Sequence, residues 1–485
     1  MTTASGSQSL ALLTDLYQLT MGAGYWKAGL AERRACFHLF FRRNPFGGGY
    51  AVAAGLDTAL AYLESLRFQA DDLAYLASLQ TPDGSPLFEE GFVDFLAASS
   101  PQLDIHAVPE GTVVFPHEPL LRIEGPLWQA QLVETALLTI INFQTLIATK
   151  AARVCQSARS KDGTPENVLE FGLRRAQGID GALSASRAAY IGGCAATSNV
   201  LAGRLFDIPV RGTHAHSWVM TFPSEREAFE RYADAFPKGC VFLVDTYDTL
   251  EGVRTAIEVG RALRKQGHEM LGIRLDSGDL AQLSIDARRI LDDAGFENAA
   301  IVASNDLDEY RIATLKEKGA TITVWGVGTR LSTAYDQPAL GGVYKLAAIQ
   351  NQDGSWAPRI KLSETPIKTS IPTRQQVRRV TKDDRFVMDV IHSVDESPLG
   401  PFVDPEDPAR ARDVTPQGEA LLQCVMQAGE RTGASPSLQE TRARTLSELA
   451  RLPSPVRALR EPERYFVGLS APLAKLRNQL IEEKQ

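Results

Sequence analysis

Short apolar runs alternate with amphipathic stretches through the middle of the chain. Apolar runs that end near residues 170, 210, 244, 275, 303 and 325 have the length and composition of buried strands. Between the later runs, apolar residues recur at three- and four-residue spacing, which predicts helices over 249–265, 280–294 and 308–318. Strands that alternate with helices at intervals of roughly 20 to 32 residues are typical of parallel βαβ units.

Polar segments that contain glycine or small residues follow these predicted strands. They occupy residues 172–175, 212–217, 245–249, 274–279, 304–306 and 326–330. A doubly wound sheet concentrates ligand contacts at one switch point, whereas a barrel uses the loops around its whole mouth. Because each strand ends in such a segment, we expect an α/β fold with an irregular parallel β/α barrel over residues 151–340.

The flanking sequence lacks this parallel repeat. Helical patterns lie at 9–29, 56–66, 70–79, 89–98 and 127–158, and strand patterns lie at 35–41 and 103–124. They predict an α+β domain over residues 1–150, completed by strands at 341–349 and 377–383 within about 341–390. Helical patterns at 416–428 and 436–451 predict a C-terminal helical extension over 391–485.

Composition and charge exclude several classes of partner. The formal net charge of −8 argues against a general surface for nucleic acid or anionic membranes. Five scattered cysteines without a C-x-x-C pair fit a reducing compartment and predict no disulfide framework. The first residues lack the features of a signal peptide, and polar residues interrupt the apolar stretch 132–148. We therefore expect a cytoplasmic protein without a membrane span.

Two histidines follow the strand that is predicted over residues 206–210. Residues 209–217 read Pro-Val-Arg-Gly-Thr-His-Ala-His-Ser, and α/β folds carry their chemistry at the carboxyl ends of strands. His214 and His216 are a poor zinc pair because neither a cysteine nor a third histidine lies nearby. A histidine at this place either takes part in chemistry or only caps the end of the strand.

The last polar segments suit phosphate and ribose. Glycines at 326–329 let backbone N–H groups approach a phosphate, although a tight turn needs the same glycines. Arg274 and Asp276 alternate along a strand and therefore point to the same side. Asp276, Asp279 and Asp245 are suitable for ribose hydroxyls or Mg²⁺, while Asp279 is also placed to cap a helix.

Six segments together resemble the nicotinate phosphoribosyltransferase family, in the expected order over about residues 9–450. They are Leu13-Thr-Asp-Leu-Tyr-Gln18, Glu170-Phe-Gly-Leu-Arg-Arg175, Gly212-Thr-His-Ala-His-Ser217, Ile273-Arg-Leu-Asp-Ser-Gly-Asp279, Gly326-Val-Gly-Thr329 and Lys361-Leu-Ser-Glu-Thr-Pro-Ile-Lys368. The resemblance implies an ATP-dependent ligase of NAD salvage that uses Mg²⁺. Its reaction converts nicotinate, phosphoribosyl pyrophosphate, ATP and water to nicotinate mononucleotide, pyrophosphate, ADP and phosphate.

The resemblance also implies roles for individual residues. His216 would be phosphorylated transiently, whereas His214 would be a loop or substrate contact. Arg274 would meet the nicotinate carboxylate, in keeping with the strength of Arg–carboxylate pairs, and Thr213 would touch the base. Tyr17 would stack on the base bound by a neighbouring subunit, which implies a homodimer with shared active sites.

The same matching implies the contacts to ribose and phosphate. Asp276 would hold the ribose hydroxyls, and Arg174 would lie at the pyrophosphate region. The 5′-phosphate would meet Gly326, Gly328 and Thr329. The remaining candidate substrate-binding residues are Asp245, Ser277, Gly278, Asp279, Ser304 and Asn305. The ligands of Mg²⁺ stay unknown at this stage.

One stretch bears on the choice of base. Relatives that use nicotinamide carry an acidic residue in a Gly-Thr-Asp stretch, where it accepts the amide N–H. The comparable stretch here is Ala196-Thr-Ser-Asn199, which has no carboxylate. Because a buried carboxylate would repel nicotinate, its absence favours the acid over the amide.

Two other classes remain open. A barrel lyase or aldolase would need a Schiff-base lysine or a metal-ligand set on a strand, and none of the predicted strand ends offers a lysine. A binding protein with a dead site would have lost some of His216, Arg274 and Asp276, all of which are present. No P-loop, zinc-protease or serine-hydrolase motif occurs in the sequence to favour another enzyme class.

Overall fold

The chain divides into two units. In the computed structural model, which describes residues 10–160, 162–415 and 418–484, one unit combines parts of Met1–Leu146 and Ala339–Gln485. The other is the continuous stretch Ile147–Pro338. The N-terminal segment that was considered for a signal peptide precedes residue 10 and lies outside the described residues.

Helices and short strands alternate irregularly in the first part of the chain. The helices are α1 (Leu16–Lys27), α2 (Leu56–Glu64), α3 (Ala70–Ser78), α4 (Glu90–Ala97), α5 (Leu127–Leu132) and α6 (Glu134–Ser157). The strands are β1 (Arg34–Phe41), β2 (Ala51–Val52), β3 (Asp104–Ala107), β4 (Val113–Val114) and β5 (Leu121–Pro126). The predicted helical and strand patterns are thus confirmed here, except that the long helix predicted at 127–158 is divided in two.

The middle of the chain follows the predicted βα order. Its strands are β6 (Asn167–Glu170), β7 (Ala196–Thr197), β8 (Val241–Leu243), β9 (Gly272–Leu275), β10 (Ala300–Ala303) and β11 (Val324–Val327). Its helices are α7 (Gly178–Ile191), α8 (Val200–Phe206), α9 (His216–Met220), α10 (Glu225–Ala235), α11 (Thr249–Lys265), α12 (Leu280–Asp293), α13 (Glu309–Glu317) and α14 (Thr329–Ser332). The helices predicted at 249–265, 280–294 and 308–318 are confirmed within a residue.

The last part of the chain contains more strands than its sequence pattern predicts. The strands are β12 (Gly342–Gln350), β13 (Trp356–Pro358), β14 (Gln375–Lys382), β15 (Arg385–Ser393), β16 (Phe402–Val403), β17 (Ala411–Arg412), β18 (Gly418–Ala420), β19 (Gln423–Gln427), β20 (Glu430–Arg431) and β21 (Val467–Leu469). The helices are α15 (Leu438–Arg451), α16 (Ser454–Arg457) and α17 (Ala471–Glu482).

The predicted helix at 416–428 is wrong. Residues 418–420 and 423–427 are strands, and residues 416 and 417 lie outside the described part of the chain. β19 returns as β20 through a turn in which Ala428 and Gly429 have φ values of 48° and 84°. Two consecutive residues with positive φ are typical of a tight hairpin turn and incompatible with a continuing helix. The segment 391–485 is therefore a mixture of strands and helices within the first unit.

Two sheets organise the first unit. One has the strand order β13-β12-β1-β5-β3-β19-β20, and its named pairings are antiparallel. The other has the order β17-β16-β21-β15-β14-β18. The strands predicted at 341–349 and 377–383 are confirmed as β12 and β14, and β12 pairs with β1 as part of the same unit.

The first unit also buries a group of charges. Arg379 is fully buried and pairs with Asp389 at 2.6 Å and with Glu448 at 2.7 Å. Burial raises the pKa of the nearby Glu118 well above its ordinary value, and the charge of Asp389 raises that pKa further. The fold therefore favours the protonated form of Glu118, because ionising it would place a third carboxylate beside one guanidinium.

The second unit is built on a parallel sheet. Its strand order is β7-β6-β11-β10-β9-β8, and each of these pairings is parallel. The predicted mixed α/β architecture with a parallel sheet is therefore present, and its closure into an irregular barrel stays a prediction. The carboxyl ends of the strands lie along one edge of such a sheet, so the loops that follow them are brought together.

The strand predicted over 206–210 is reduced to one bridge. Phe206 ends α8, which Asn199 caps by accepting the backbone N–H of Ala202 at 3.2 Å. Asp207 then has a left-handed φ of 53°, which ends the helix and leaves few extended residues. Only Val210 pairs with the sheet, through a parallel bridge to Thr197.

Aspartate caps position three helices that follow strands. Asp248 accepts a backbone N–H at the start of α11, and Asp279 and Asp308 do the same for α12 and α13. Such caps satisfy N–H groups that have no partner within the helix. Several carboxylates of the polar segments therefore set where each helix begins.

Candidate active site

A cavity of about 520 Å³ lies at the loops that follow the parallel strands, within the second unit. Its wall includes ten residues predicted as site residues: Arg174, Thr213, His216, Arg274, Asp276, Ser304, Asn305, Gly326, Gly328 and Thr329. They come from five separate segments, so the fold brings together residues that lie as far apart in the sequence as Arg174 and Thr329. Their contacts to substrate stay predictions.

Arg274 is held by three neighbours but keeps donors free for a ligand. Its Nε donates to Ser304 Oγ at 2.9 Å, Nη1 donates to Thr213 Oγ1 at 2.9 Å, and Nη2 lies 3.0 Å from Asp276 Oδ1. A guanidinium has five N–H groups, so one N–H on each terminal nitrogen remains. The guanidinium also lies 5.7 Å from the centre of the Phe171 ring. A planar anion can bind beside both groups.

His216 is partly exposed and contacts two polar groups. Its Nδ1 lies 3.1 Å from the hydroxyl of Thr246, and its Nε2 lies 3.7 Å from Asp276 Oδ2. The side chain is 39% exposed, so both substrate and water can reach it. Thr246 was not predicted as a site residue. Its position directly after Asp245, in the polar segment 245–249, was the available signal.

His214 lines the cavity and also packs against the sheet. Its Nε2 accepts the backbone N–H of Leu243 at 3.2 Å, and its ring packs edge-on against Tyr232 at 4.8 Å between centroids. Burial lowers the pKa of His214 to about 4, so the imidazole is neutral at physiological pH. His214 thus contacts β8, while Val210 of the same loop pairs with β7 at the other end of the sheet.

Four predicted residues are not part of the cavity wall that the described residues form. Asp245 Oδ2 accepts the backbone N–H of Asp276 at 2.9 Å and the hydroxyl of Ser277 at 2.6 Å. Gly278 has a φ of 77°, which allows the turn, and Asp279 caps α12. These contacts fix the position of Asp276, and a direct role of Asp245, Ser277, Gly278 or Asp279 in binding stays a prediction.

A buried polar network supports the loop at 170–175. Glu170 is almost fully buried, and its Oε2 accepts the hydroxyls of Thr197 at 2.6 Å and Ser186 at 2.8 Å. The side-chain amide of Asn199 donates to Ser186 at 3.2 Å. Ser198 instead lines the cavity. The stretch 196–199 therefore presents a serine and no carboxylate to a ligand, as the specificity argument requires.

Glycines at the phosphate end allow a close approach of loops. A Cβ added at Gly326 would lie 2.8 Å from the ring of Phe171, and one at Gly328 would lie 3.2 Å from its carbonyl oxygen. A side chain at either place would displace Phe171. Thr329 follows and begins α14, and it lines the cavity together with the two glycines.

Nine further residues line the cavity, and of these His214 was expected as a loop or substrate contact. They are Phe171, Leu173, Arg175, Ser198, Gly212, His214, Ala215, Leu243 and Asp306. Phe171 and Arg175 belong to the segment 170–175, and Asp306 belongs to 304–306, so these segments carried a signal. Leu243 is a buried strand residue, and nothing in the sequence distinguishes it from the rest of the core.

Tyr17 belongs to the first unit. Its side chain is 47% exposed, and its hydroxyl accepts a hydrogen bond from the side-chain amide of Gln18 at 3.2 Å. Burial raises the pKa of Tyr17, and Glu134 and Asp15 raise it further. The residue is therefore a neutral, accessible aromatic side chain at physiological pH, and its predicted stacking on a substrate stays a prediction.

The described residues contain neither a ready-made metal cluster nor a helix suited to span a membrane. The described residues contain no group of three or more His, Cys, Asp or Glu arranged to hold a metal ion. None of the five cysteines is part of a disulfide bond. No helix in the described part of the chain combines the length and the apolar character that a bilayer span requires.

The fold and the cavity define an α/β protein with a polar cavity at the ends of its parallel strands. Three family models match the chain: the nicotinate phosphoribosyltransferase N-terminal domain over residues 12–142, the nicotinate phosphoribosyltransferase family over 167–389, and its C-terminal domain over 373–477. Nicotinate phosphoribosyltransferase of Bacillus subtilis is 52% identical over 373 residues, which are 77% of this chain and 73% of that protein. The human protein of that name is 38% identical, covering 97% of this chain and 96% of its own. The chain belongs to the nicotinate phosphoribosyltransferase family.

Solved structures agree with this assignment. The crystal structure of human nicotinic acid phosphoribosyltransferase superposes with a TM-score of 0.83 at 36% identity, covering 96% of this chain and 99% of that one. The structure of nicotinate-nucleotide pyrophosphorylase from Pyrococcus furiosus superposes with a TM-score of 0.68 at 20% identity, covering 93% and 99%. The second likeness concerns the fold alone.

Proposed function

We propose that the chain is an ATP-coupled nicotinate phosphoribosyltransferase of NAD salvage. It joins nicotinate to phosphoribosyl pyrophosphate, and releases nicotinate mononucleotide and pyrophosphate, while ATP and water become ADP and phosphate. Membership of the family supports the transfer reaction. The observation that carries the proposal is the presence in one cavity of a guanidinium with two free donors, a glycine-rich phosphate loop and an accessible histidine.

Nicotinate binds at the end of the cavity formed by Arg274, Thr213 and Phe171. The two free N–H groups of Arg274 donate to the carboxylate, and the Phe171 ring lies beside the pyridine. Ser198 adds a neutral polar group that does not repel the acid. The pyridine nitrogen has a lone pair and is itself the nucleophile, so the reaction requires no general base at this end.

Phosphoribosyl pyrophosphate occupies the other loops. Asp276 accepts hydrogen bonds from the ribose hydroxyls, Arg174 meets the pyrophosphate, and the loop at 326–329 donates backbone N–H groups to the 5′-phosphate. The pyridine nitrogen attacks C1 of the ribose as the bond from C1 to the pyrophosphate oxygen breaks. Pyrophosphate leaves with the electron pair, and its negative charge is met by cationic side chains such as Arg174 and Arg175.

ATP is coupled through His216. When Nδ1–H donates to Thr246, Nε2 keeps its lone pair and attacks the γ-phosphorus of ATP. The N–P bond forms while the bond from the γ-phosphorus to the bridging oxygen breaks, and ADP leaves. Water later attacks the phosphohistidine and releases phosphate. The phosphorylated histidine carries added charge and acceptor oxygens. It can therefore make contacts that strengthen the binding of phosphoribosyl pyrophosphate and that the free imidazole cannot make.

Mg²⁺ fits the residues at this place. Asp276 lies 3.7 Å from Nε2 of His216, so an approaching polyphosphate meets a carboxylate and needs a cation to offset the repulsion. Mg²⁺ is usually held by one or two carboxylates together with substrate phosphates, and not by an all-protein cage. Asp276 and Asp306, which both line the cavity, would hold it. There the ion would neutralise charge on the phosphates.

We further propose a homodimer in which Tyr17 of one subunit stacks on the base bound by the other. The exposed, neutral ring of Tyr17 supports this, as do the exposed apolar side chains of Leu16 and Met21 on the same helix. We place the reaction in the cytoplasm, and the five free thiols are consistent with this compartment.

The proposal is tested by the fate of the γ-phosphate. Purified chain is incubated with γ-³²P-ATP, and acid-labile label on the protein is counted, together with nicotinate mononucleotide formed with and without ATP. We expect His216→Asn to lose both the label and ATP hydrolysis, and to keep a slow ATP-independent transfer at high phosphoribosyl pyrophosphate. His214→Asn is the matched control and should keep the label. Label that persists on His216→Asn would disprove the assignment.

The same assay tests the substrate. Nicotinate and nicotinamide are compared as acceptors, each with and without ATP. We expect nicotinate to be used far better, because Arg274 provides a matched cation for a carboxylate. Equal use of both bases by the wild-type chain would refute this specificity.

A further inference from the structure

Two consecutive residues on the cavity wall have a strained backbone. Asn305 has a φ of 86° and Asp306 a φ of 47°, and both line the cavity. Residues other than glycine rarely adopt a positive φ, and they keep such a conformation only where the surrounding contacts hold it. The contacts on either side of this turn therefore show what fixes this part of the cavity.

The turn is held on both sides. Before it, Ser304 is buried, accepts a hydrogen bond from Arg274 Nε at 2.9 Å and donates to Asp276. After it, Asp308 is buried and uses both carboxylate oxygens. Its Oδ1 accepts the backbone N–H of Arg311 at 2.7 Å, which caps α13, and its Oδ2 lies 3.1 Å from Arg330 Nη1.

Arg330 joins this turn to the phosphate loop. It directly follows Thr329 in α14, and it is not part of the cavity wall that the described residues form. Its guanidinium bonds to Asp308, and lies 3.6 Å from Asp336 and 4.8 Å from the ring of Tyr335. One side chain thereby connects the two loops at the phosphate end of the cavity.

A charge-balanced network anchors Arg330 in turn. Asp336 also bonds to Lys150 Nζ at 2.5 Å, and Lys150 pairs with Glu309 at 2.6 Å. Glu309 bonds to Arg153 Nε at 2.9 Å. The side chains of this network are buried at three positions, Lys150, Arg153 and Glu309. Buried charges require partners, and these three residues pair with one another inside the unit. Together with Arg330 and Asp308, this network has three cations and three carboxylates.

We propose that Arg330 is a positioning residue, which holds the strained Asn305–Asp306 turn against the phosphate loop at 326–329. Through this link it sets the spacing of the loops that receive the ribose and its 5′-phosphate. The inference rests on the proposed function for the identity of the substrate. It predicts a larger effect on the phosphoribosyl substrate than on the base, because Arg274, besides its bond to Ser304, keeps a contact to Thr213 that does not involve this turn.

The test uses two variants that remove the same contact from opposite sides. Arg330→Gln removes the guanidinium, and Asp308→Asn removes the charge but keeps an oxygen that can cap α13. We expect each to raise the KM for phosphoribosyl pyrophosphate about ten-fold, equivalent to about 1.4 kcal/mol. The KM for nicotinate should stay within about two-fold of the wild-type value. The double variant should be no worse than either single variant, because both remove one contact.

Controls separate positioning from general destabilisation. Arg289→Gln breaks an exposed ion pair of α12, to Asp286 at 3.0 Å, and should change neither KM. If Arg330→Gln does not fold, Asp308→Asn still decides the question. Equal rises in both KM values, or additive losses in the double variant, would overturn the proposal.

A binding assay makes the inference separable from the proposed function. Calorimetry measures the Kd of ribose 5-phosphate for each variant without any turnover. Weaker binding by Arg330→Gln and Asp308→Asn supports the positioning role even if the wild-type chain fails to make nicotinate mononucleotide. Unchanged binding by both variants refutes the role even if the wild-type chain is fully active.

Discussion

Replacing Arg274 by glutamine should abolish the preference for nicotinate over nicotinamide. Arg274 is only 15% exposed, so its pair with a substrate carboxylate would be largely desolvated. Truncating one partner of such a pair costs about 2–5 kcal/mol. The ratio of kcat/KM for nicotinate to that for nicotinamide should therefore fall by roughly 30-fold or more.

The ratio is the informative quantity because Arg274 also supports its neighbours. Its contacts to Ser304, Thr213 and Asp276 are lost with either base, so their loss lowers both values of kcat/KM and cancels in the ratio. The assay is initial-rate formation of each mononucleotide at saturating phosphoribosyl pyrophosphate. Arg175→Gln is the matched control, since it removes a cation from the same wall and should lower both rates alike.

One result would refute the reasoning. If Arg274→Gln lowers both values of kcat/KM in parallel and leaves the ratio within about three-fold, Arg274 acts as a scaffold for Asp276 and Ser304. The carboxylate would then be recognised elsewhere on the wall, and Ser198 and the backbone at Gly212 would be the next groups to replace.

Two further predictions concern assembly and stability. Mixing inactive Tyr17→Ala and His216→Ala chains should restore some activity through hybrid dimers. Mass spectrometry shows whether the subunits exchange. If they exchange and no activity returns, the site lies within one chain. Glu118→Gln should make thermal stability less sensitive to rising pH. The pKa of Glu118 is raised in the folded state, so its stabilising effect is full below the pKa of the unfolded state, near 4.5. As pH rises towards the folded-state pKa, this effect is lost by about 1.4 kcal/mol per pH unit. Melting temperatures of the wild-type and Glu118→Gln proteins across pH 5 to 8 measure this effect. If the two plots of melting temperature against pH are parallel, the pKa of Glu118 is not raised.

The parallel half of the fold could be predicted because each of its elements carries its own signal. Strands β8 to β11 are short, apolar and followed by polar residues, and α11 to α13 begin at aspartate caps that are visible in the sequence. Local propensity and tertiary structure agree at these places. The strand predicted over 206–210 is wrong because Phe206 ends α8 and Asp207 turns the chain, which leaves one bridge at Val210.

The candidate site was predictable in its residues and not in its contacts. Arg274, Asp276 and His216 stand out because polar groups at strand ends converge in a parallel fold. The hydrogen bond between His216 and Thr246 spans 30 residues and depends on the side-chain positions that packing selects. The left-handed turn at Asn305 and the ion pair of Arg330 have no local signature either, since their cause lies in neighbouring loops.

The order in which the chain is made has a consequence for how it folds. β1 pairs on one side with β5 and on the other with β12, and its partner Gly342 lies about 300 residues beyond Phe41. At ribosomal speeds of about 5–20 residues per second, β1 waits roughly 15–60 s for this partner. The second unit is one continuous stretch, so it can complete its sheet during that interval. A nascent chain thus holds a finished parallel unit while an unpaired strand of the other unit needs protection from aggregation.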